Sequence, residues 1–557
     1  MASSLGAGYD YVSFRRELMP PSQAPATLEM RTWLHASWLP LSLLALGLVA
    51  RLAWAYSVFL NPDEALHYLL SVQPSLALTY QATLLTAHPP LLIVLLHYWS
   101  LFGTSEFILR LPSVLAGTAF CWIMFLWLER VTDHATALIG LSLLLFSPAL
   151  MYLSAEIRQY SLLLFFMACS LYFLDRAIGE RSSLMVLLSA LALYLALLTH
   201  YSALIFALTI GIYALVRFRS AGTQALLIGI WGVIQLGALG LVGFLLKSHV
   251  LKMRARGMSQ ALADTYLRGA VFHAGQDRVV PFILKANIRL FHYMFSQGAV
   301  GVLGLLVYIA GIGFLLADKG PARDSGRPSS RQLGLLLVLP LTINCGAALA
   351  GLYPLGGTRH NSFLAGFAMS GVAVALSHWK TSRRSQKAVV IGIMLAICNF
   401  SVTPAGAYMR PQNQRRAFME QATEYLRRSV PKASLILTDG EGSLLLSYYF
   451  CHCLISSEES RCGEDRIIVL DPRQWLLRAE TFPSQIHNLQ QRYELRAGTK
   501  AWLFQAGFLV DREPELRAEF VQYGCASPQG FGQNIFLCQL TLSAINNPTG
   551  ATSTPVK

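Results

Sequence analysis

Two adjacent carboxylates, Asp63 and Glu64, stand in an Asn61-Pro62-Asp63-Glu64 turn where the first long apolar run of the chain ends. Ionisable side chains at a water–lipid boundary are costly to place, so they are candidates for function. Side by side, one carboxylate can serve as a general base and the other as its hydrogen-bonding or electrostatic partner. The same turn also reads as a helix start capped by an acidic residue after proline. Further ionisable clusters lie at other apolar boundaries. His88-Pro89-Pro90 opens an apolar run, and its tandem prolines fix a turn that holds His88 at the surface. In Ser154-Ala155-Glu156-Ile157-Arg158-Gln159-Tyr160 the residues Glu156, Arg158 and Tyr160 alternate, so only an irregular turn would aim them together. Thr199-His200-Tyr201 separates two apolar runs with almost no loop. In Tyr353-Pro354-Leu355-Gly356-Gly357-Thr358-Arg359-His360 the glycines permit close backbone approach, and Arg359 supplies a bidentate donor for phosphate. Each cluster alone also reads as an interfacial anchor. Together they offer acids, histidines and arginines.

The elements that must position these residues are membrane helices. Of 557 residues, 54% are hydrophobic and 13% charged, about half the usual charge of a soluble chain. About 20 apolar residues cross a bilayer. Runs of about that length lie near 34–60, 89–103, 110–128, 135–153, 160–175, 184–199, 202–217, 224–246, 297–317, 333–352, 361–378 and 387–406, about twelve in all, with 89–103 short for a full crossing. The net charge of +14 fits basic loops facing anionic lipid and does not by itself imply nucleic acid. Four short basic connections are expected in the cytoplasm: Arg176 to Arg181, Arg217 to Arg219, Lys319 to Arg331 and Lys380 to Lys387. Alternation then gathers the turn after 153, the His200 corner, the loop 247–296, the 353–360 turn and everything after about 407 on the outside. Residues 61–88 also fall outside by counting crossings, yet that count puts the turn after 153 inside, so the stretch 64–134 holds a half-inserted segment or a miscount. The loop 247–296 is itself basic, against the orientation rule; its cations either meet an anion such as a lipid phosphate or mark an error of topology.

Residues 1–33 read as a cytoplasmic tail, because the first apolar run is too long for a signal peptide. After 407 an amphipathic helix over 413–430 precedes short buried strands at 434–438, 466–470, 500–504 and 534–538. Such alternation predicts a small α/β domain with a mainly parallel sheet over 407–545, followed by a disordered tail, 546–557. No glycine-rich nucleotide motif is present in it. Cys121, Cys169, Cys345 and Cys398 lie in apolar runs as packing residues. Cys451, Cys453, Cys462, Cys525 and Cys538 suit disulfides if that part is exported, and free thiols if it is not.

The order Pro62-Asp63-Glu64, His88-Pro89-Pro90-Leu91, Arg110-Leu111-Pro112, Ser147-Pro148, Glu156-x-Arg158-x-Tyr160 and Gly356-Gly357-Thr358-Arg359-His360 resembles bacterial members of the protein-mannosyltransferase-like family of C-type glycosyltransferases. The resemblance covers about 34–406 and implies the C-type membrane fold. It implies an inverting sugar transfer from a polyprenyl-phosphate donor, on the periplasmic face of a bacterial inner membrane, to a glycan, lipid or protein acceptor. Asp63 maps onto the family's base, with Glu64 beside it. His88, Arg158, Arg359 and His360 are then candidates for the donor phosphate, and Glu156, Tyr160, His200 and Tyr201 for the rest of the substrate. No metal or other cofactor is expected, because side chains can neutralise a single phosphate. The aminoarabinose branch of the superfamily typically has Lys where this chain has His88, which speaks against that branch. A transporter or flippase is an alternative, although no internal repeat is visible. A polymerase or ligase using a diphosphate carrier is another.

Overall fold

The structure, a computed structural model, describes residues 26–84, 86, 88–252, 267–318, 326–378, 409, 412–452, 459–470, 476–508, 514–525 and 528–542. The expected span at 387–406, the expected tail at 546–557 and residues 1–25 of the expected N-terminal tail lie outside the described residues, while residues 26–33, expected as tail, are the start of the first helix. The membrane body begins with α1 (Ala26–Ser57), followed by three short helices, α2 (Pro62–Ser71), α3 (Leu76–Thr83) and α4 (Leu91–Trp99). Then come α5 (Glu106–Val131), α6 (His134–Leu145), α7 (Pro148–Ser154), α8 (Tyr160–Glu180), α9 (Ser183–Thr199), α10 (Ala203–Ser220) and α11 (Ala225–Leu245). It continues with α12 (Val279–Phe295), α13 (Gly298–Ala317), α14 (Ser330–Leu349) and α15 (Ala365–His378).

Among the described residues, seven helices are long and apolar enough to cross a membrane, or eight if the pair α6 and α7, bent by 62°, is one span. The chain is a multi-pass membrane protein. The bend falls at Ser147-Pro148, where proline cannot continue the α6 hydrogen-bond ladder and Ser147 donates instead to the Met294 carbonyl, 2.8 Å away.

The expected run at 89–103 is not a crossing. With its terminal 3₁₀ turn it spans Leu91–Phe102, about 18 Å against the ~30 Å of a bilayer core. It packs on α2 and α3 instead. With the shorter helices α9 and α15 counted as crossings, leaving it out of the count restores alternation. The 61–64 turn, the 155–159 turn, His200 and the 353–360 turn then share one end of the body, and Arg176, Arg181, Arg217, Arg219, Arg327 and Arg331 the other. The stretch expected as a loop over 247–296 contains the 17-residue helix α12. Its basic side breaks the apolar run by which helices were recognised.

The basic end is pinned by a buried polar knot. Asp175 accepts from Trp127 Nε1 at 2.8 Å, the Tyr213 hydroxyl at 2.9 Å and Arg217 Nε at 3.4 Å. Arg217 also donates to the carbonyls of Gly326 and Arg327, joining α5, α8 and α10 to the loop before α14.

The C-terminal part opens with α16 (Arg416–Ser429), the expected amphipathic helix. A six-stranded sheet follows, in the order β2-β3-β1-β4-β6-β5. Its strands are β1 (Leu435–Thr438), β2 (Glu459–Cys462), β3 (Asp465–Val469), β4 (Lys500–Ala506), β5 (Gln529–Gly530) and β6 (Ile535–Thr541). Helices α17 (Gly440–Leu446), α18 (Phe482–Arg492) and α19 (Pro514–Gln522) complete it. The four expected strands are β1, β3, β4 and β6. The sheet is mixed rather than mainly parallel: β1 runs parallel to β3 and β4, but β2, β5 and β6 pair antiparallel. Edge strands β2 and β5 are polar or very short, so they carry no buried-strand signal. Cys451 pairs with Cys462 and Cys525 with Cys538, which closes the free-thiol alternative for these four; Cys453 and Cys398 lie outside the described residues. Cys121 and Cys169 are buried thiols, and Cys345 is half-buried.

The sheet domain sits directly on the body. Phe59 and Gln414 exchange two hydrogen bonds, at 3.0 and 2.7 Å. Leu60 N donates to the Tyr449 hydroxyl at 2.7 Å, and that hydroxyl donates to the Glu106 carboxylate. Phe59 and Ala65 join Met419, Ile436 and Phe504 in one apolar cluster. Helix α2 is therefore packed between body and sheet domain.

Candidate active site

Helix α2 explains why neighbouring carboxylates part company. Asn61 is its N-cap and Pro62 its first residue. The Asn61 side chain accepts from Glu64 N at 3.0 Å, and the Glu64 carboxylate accepts from Asn61 N at 3.0 Å, a reciprocal capping box. Glu64 is wholly buried and grips Arg110 of α5 through two bonds of 2.8 and 2.7 Å. It also accepts from Ile157 N at 2.9 Å. Arg110 in turn donates to the carbonyls of Ala55, Val58 and Phe59 at the end of α1. Glu64, expected as Asp63's partner in an acid pair, instead ties α1, α2, α5 and the 155–159 turn together.

Asp63, one residue earlier, points the other way. Its Oδ2 accepts from Arg158 Nη2 at 2.7 Å and from Arg359 Nη2 at 2.9 Å. Residues 95 and 296 positions away in sequence thus converge on one oxygen. Burial raises the Asp63 carboxyl, but the guanidinium groups of Arg158 and Arg359 outweigh it and hold the group well below the usual carboxylate range. The side chains of Asp63 and Arg359 keep 19% and 17% of their surface exposed and that of Arg158 3%, so the cluster opens partly to the surface on the Asp63–Arg359 side, and this opening is the chamber of the site.

Each arginine is aimed by a special piece of backbone. Arg158 lies in the irregular turn between α7 and α8, fixed by its own amide to the Glu156 carbonyl at 2.8 Å. Arg359 follows the glycine turn. Gly356 has φ +140°, and a side chain on Gly357 would meet the Arg289 carbonyl at 2.4 Å, so the turn lies flush on α12 only because both residues are glycine.

Aromatic and imidazole rings wall the chamber. His88 stacks on His200 with ring centres 5.5 Å apart, and His200 lies 5.9 Å from His360 and 5.2 Å from Tyr160. Burial drives these imidazoles below their usual range, with neighbouring imidazoles and arginines adding to it; His200 is pushed down to about 3. Their rings are neutral around pH 7. Glu156 accepts from Asn61 Nδ2 at 2.7 Å, and burial, then the charge of Glu64, pushes its carboxyl up to about 7. Nine of the ten expected residues, Asp63, Glu64, His88, Glu156, Arg158, Tyr160, His200, Arg359 and His360, thus meet in one connected cluster. Tyr201 is half-buried and, among the described contacts, has no side-chain contact with that cluster.

Sequence reasoning missed His67. It lies one helical turn after Asp63 on α2, near the Ile157 carbonyl at 3.1 Å and 6.2 Å from the His88 ring. Burial and the Arg158 charge push it down to about 3. Reading 61–64 as a turn hid it; reading the same residues as the first turn of a helix would place His67 on the Asp63 face. The sheet domain also reaches this place. α17 packs on α2, and its Glu441, whose Oε2 accepts from Phe508 N at 2.7 Å, lies near enough to feel the Asp63 charge.

The site thus defines a membrane protein with a charged chamber at one end of its helical body and a sheet domain packed beside it. The structure is similar to ArnT from Cupriavidus metallidurans bound to undecaprenyl phosphate, with a TM-score of 0.53 and 12% identity, covering 90% of this chain and 97% of that one. The apo ArnT structure from the same organism gives 0.51 and 13%, covering 92% and 98%. An oligosaccharyltransferase from Archaeoglobus fulgidus gives 0.47 and 13%, covering 85% and 70%. No curated protein sequence matches the chain. The family model for dolichyl-phosphate-mannose-protein mannosyltransferase matches residues 87–245, which hold His88, Arg158 and His200. Part of the chain thus matches that family model, and the likeness to the two ArnT structures shows a shared fold.

Proposed function

We propose that this protein moves a sugar from a polyprenyl-phosphate carrier to an acceptor hydroxyl, with inversion at the anomeric carbon and Asp63 as the base. The observation that carries the reading is the pair Arg158 and Arg359 on one oxygen of Asp63. Two guanidinium groups side by side are suited to a phosphate monoester or diester oxygen. A structural relative that binds undecaprenyl phosphate supports this ligand class.

The acceptor oxygen attacks the anomeric carbon while its proton passes to the Asp63 carboxylate. The bond from that carbon to the phosphate oxygen breaks, and its electron pair leaves with the phosphate. Arg158 and Arg359 neutralise the charge that develops there, with His88 and His360 lining the same chamber. A carboxylate gripped by two arginines is a poor base. When the donor phosphate takes over the guanidinium groups, Asp63 is released and its basicity rises. The donor therefore binds first, and the base becomes competent only with the donor in place. Glu64 acts as a positioning residue, holding α2 through Arg110. Glu156, Tyr160, His200 and, at the margin, Tyr201 face the sugar or acceptor.

Residues 34–406 are the transferase body in this reading, and 407–545 an exported domain that roofs the acceptor side. The outer face of a bacterial inner membrane is the proposed location, supported by the basic residues gathered at the opposite end of the body.

Asp63→Asn should remain membrane-inserted and lose transfer from a radiolabelled polyprenyl-phosphate sugar. Full transfer by that variant would remove Asp63 from the mechanism.

A further inference from the structure

A charged cavity of about 730 Å³ opens at the same end of the body as the candidate site, and Arg268, His273, Asp277, Arg278, Lys285 and Arg289 line it. Its basic wall is helical. Arg278, Lys285 and Arg289 follow the spacing i, i+7, i+11 on α12, which puts them on one stripe. Arg289 Nη1 donates to the Gly269 carbonyl at 2.9 Å and so fastens the turn bearing Arg268 to the helix. Asp277 is the single carboxylate among the described residues of the lining. It is occupied locally, accepting from His273 N at 2.9 Å with the His273 ring 3.5 Å away. The cavity therefore holds four permanent cations against one anion, and the positive end of the α12 dipole adds to them.

A different side of the same helix is apolar and uncovered. Val280 is 74% exposed and Leu284 57%. They lie one turn apart, more than a right angle around the helix from the basic stripe. Phe291 and Phe295, further along the same stripe, are buried against the body, as are Leu290 and Met294 beside it. A helix whose apolar side rests on the protein in its C-terminal half and is open in its N-terminal half, with a cationic stripe across from it, is built for the headgroup layer of a bilayer. Neither water nor acyl chains alone satisfies both faces.

From this geometry we infer that α12 and the preceding turn form a seat for an anionic phospholipid, its phosphate among Arg268, Arg278 and Lys285 and its chains against Val280 and Leu284. The seat is separate from the Asp63 chamber and does not depend on sugar transfer. The two are neighbours, because Gly357 of the Arg359 turn rests on the carbonyl of Arg289 and Leu355 N donates to the Ala270 carbonyl at 2.8 Å.

The test is lipid binding by the full-length protein in phosphatidylcholine nanodiscs, titrated with phosphatidylglycerol and read by native mass spectrometry. Wild type should retain phosphatidylglycerol in preference to phosphatidylcholine, with the preference weakening as salt rises. Each neutralised cation should weaken it about fivefold, so Arg278→Gln with Lys285→Gln should weaken it about 25-fold. If the double variant does not fold, Lys285→Gln alone decides by the same measure. An unchanged preference in the variants overturns the proposal. So does complete displacement of the lipid by inorganic phosphate, which would mark a seat for a soluble anion.

Discussion

Asp63 and Glu64 differ by one residue and by everything that surrounds them. Glu64 is at the third position of α2 and closes a capping box; Asp63, at the second, is left to face the chamber. Their variants should therefore fail in different ways. Glu64→Gln leaves Arg110 fully buried without its counter-charge, which costs about 3–5 kcal/mol. The expected outcome is a large drop in apparent melting temperature of the detergent-solubilised protein. Asp63→Asn should melt close to wild type. It should also bind polyprenyl phosphate at least as tightly, because Arg158 and Arg359 no longer have to leave a carboxylate. Arg359→Gln should weaken that binding about tenfold or more, the worth of one hydrogen bond to a charged group. Tighter binding by Arg359→Gln than by wild type would contradict the sharing of arginines between base and phosphate.

At the scale of elements, the sheet domain brings a pH dependence of its own. Asp439 caps α17 and is pushed up to about 6 by burial, although the Gly442 amide and Gln505 oppose the rise. Glu441 is pushed up to about 9, first by burial and then by Asp439. A carboxyl raised from 4.5 to about 9 is held protonated by the fold. Its contribution to stability is present below the lower value and is lost as pH rises through the upper one. Below about pH 6.5 the depressed imidazoles of the candidate site oppose this effect, so the fall in melting temperature should show between about pH 7 and 9, and Glu441→Gln should flatten it. A steeper fall in the variant would assign the dependence elsewhere. The same elements show what could be read from sequence. The long spans and β1, β3, β4 and β6 were legible because burial leaves an apolar run. Helix α12 was not, because Lys285 and Arg289 interrupt its run; β2 was not, because Glu459, Ser460 and Arg461 lie at a polar edge. The clusters at span ends were legible as residue types. Which carboxylate faces the chamber was not, since that depends on the capping geometry of α2 and on Arg110, 46 residues away.

For the whole molecule, the site is a meeting of distant segments. Asp63 follows α1, Arg158 precedes α8, Arg359 precedes α15, and Glu441 arrives from the sheet domain. Such a chamber forms only after most of the body has assembled. The knot of Asp175, Trp127, Tyr213 and Arg217 holds helices together at the far end, away from the chamber. The sheet domain is joined to α2 by backbone hydrogen bonds at Phe59 and Leu60 and by a shared apolar cluster, so it is part of the chamber's frame rather than a tethered appendage.

The shortness of α4 has a consequence for how the chain enters the membrane. A segment too short to cross the bilayer does not change the side on which translation continues. Excising Leu91–Phe102 should leave a reporter enzyme fused after residue 132, or after any later turn, facing the compartment it faces in the intact protein. The damage should be confined to the floor beneath α2. A reporter that switched compartments would show that α4 crosses after all, and the clusters around Asp63 and Arg158 would then have to be brought to one side by some other route.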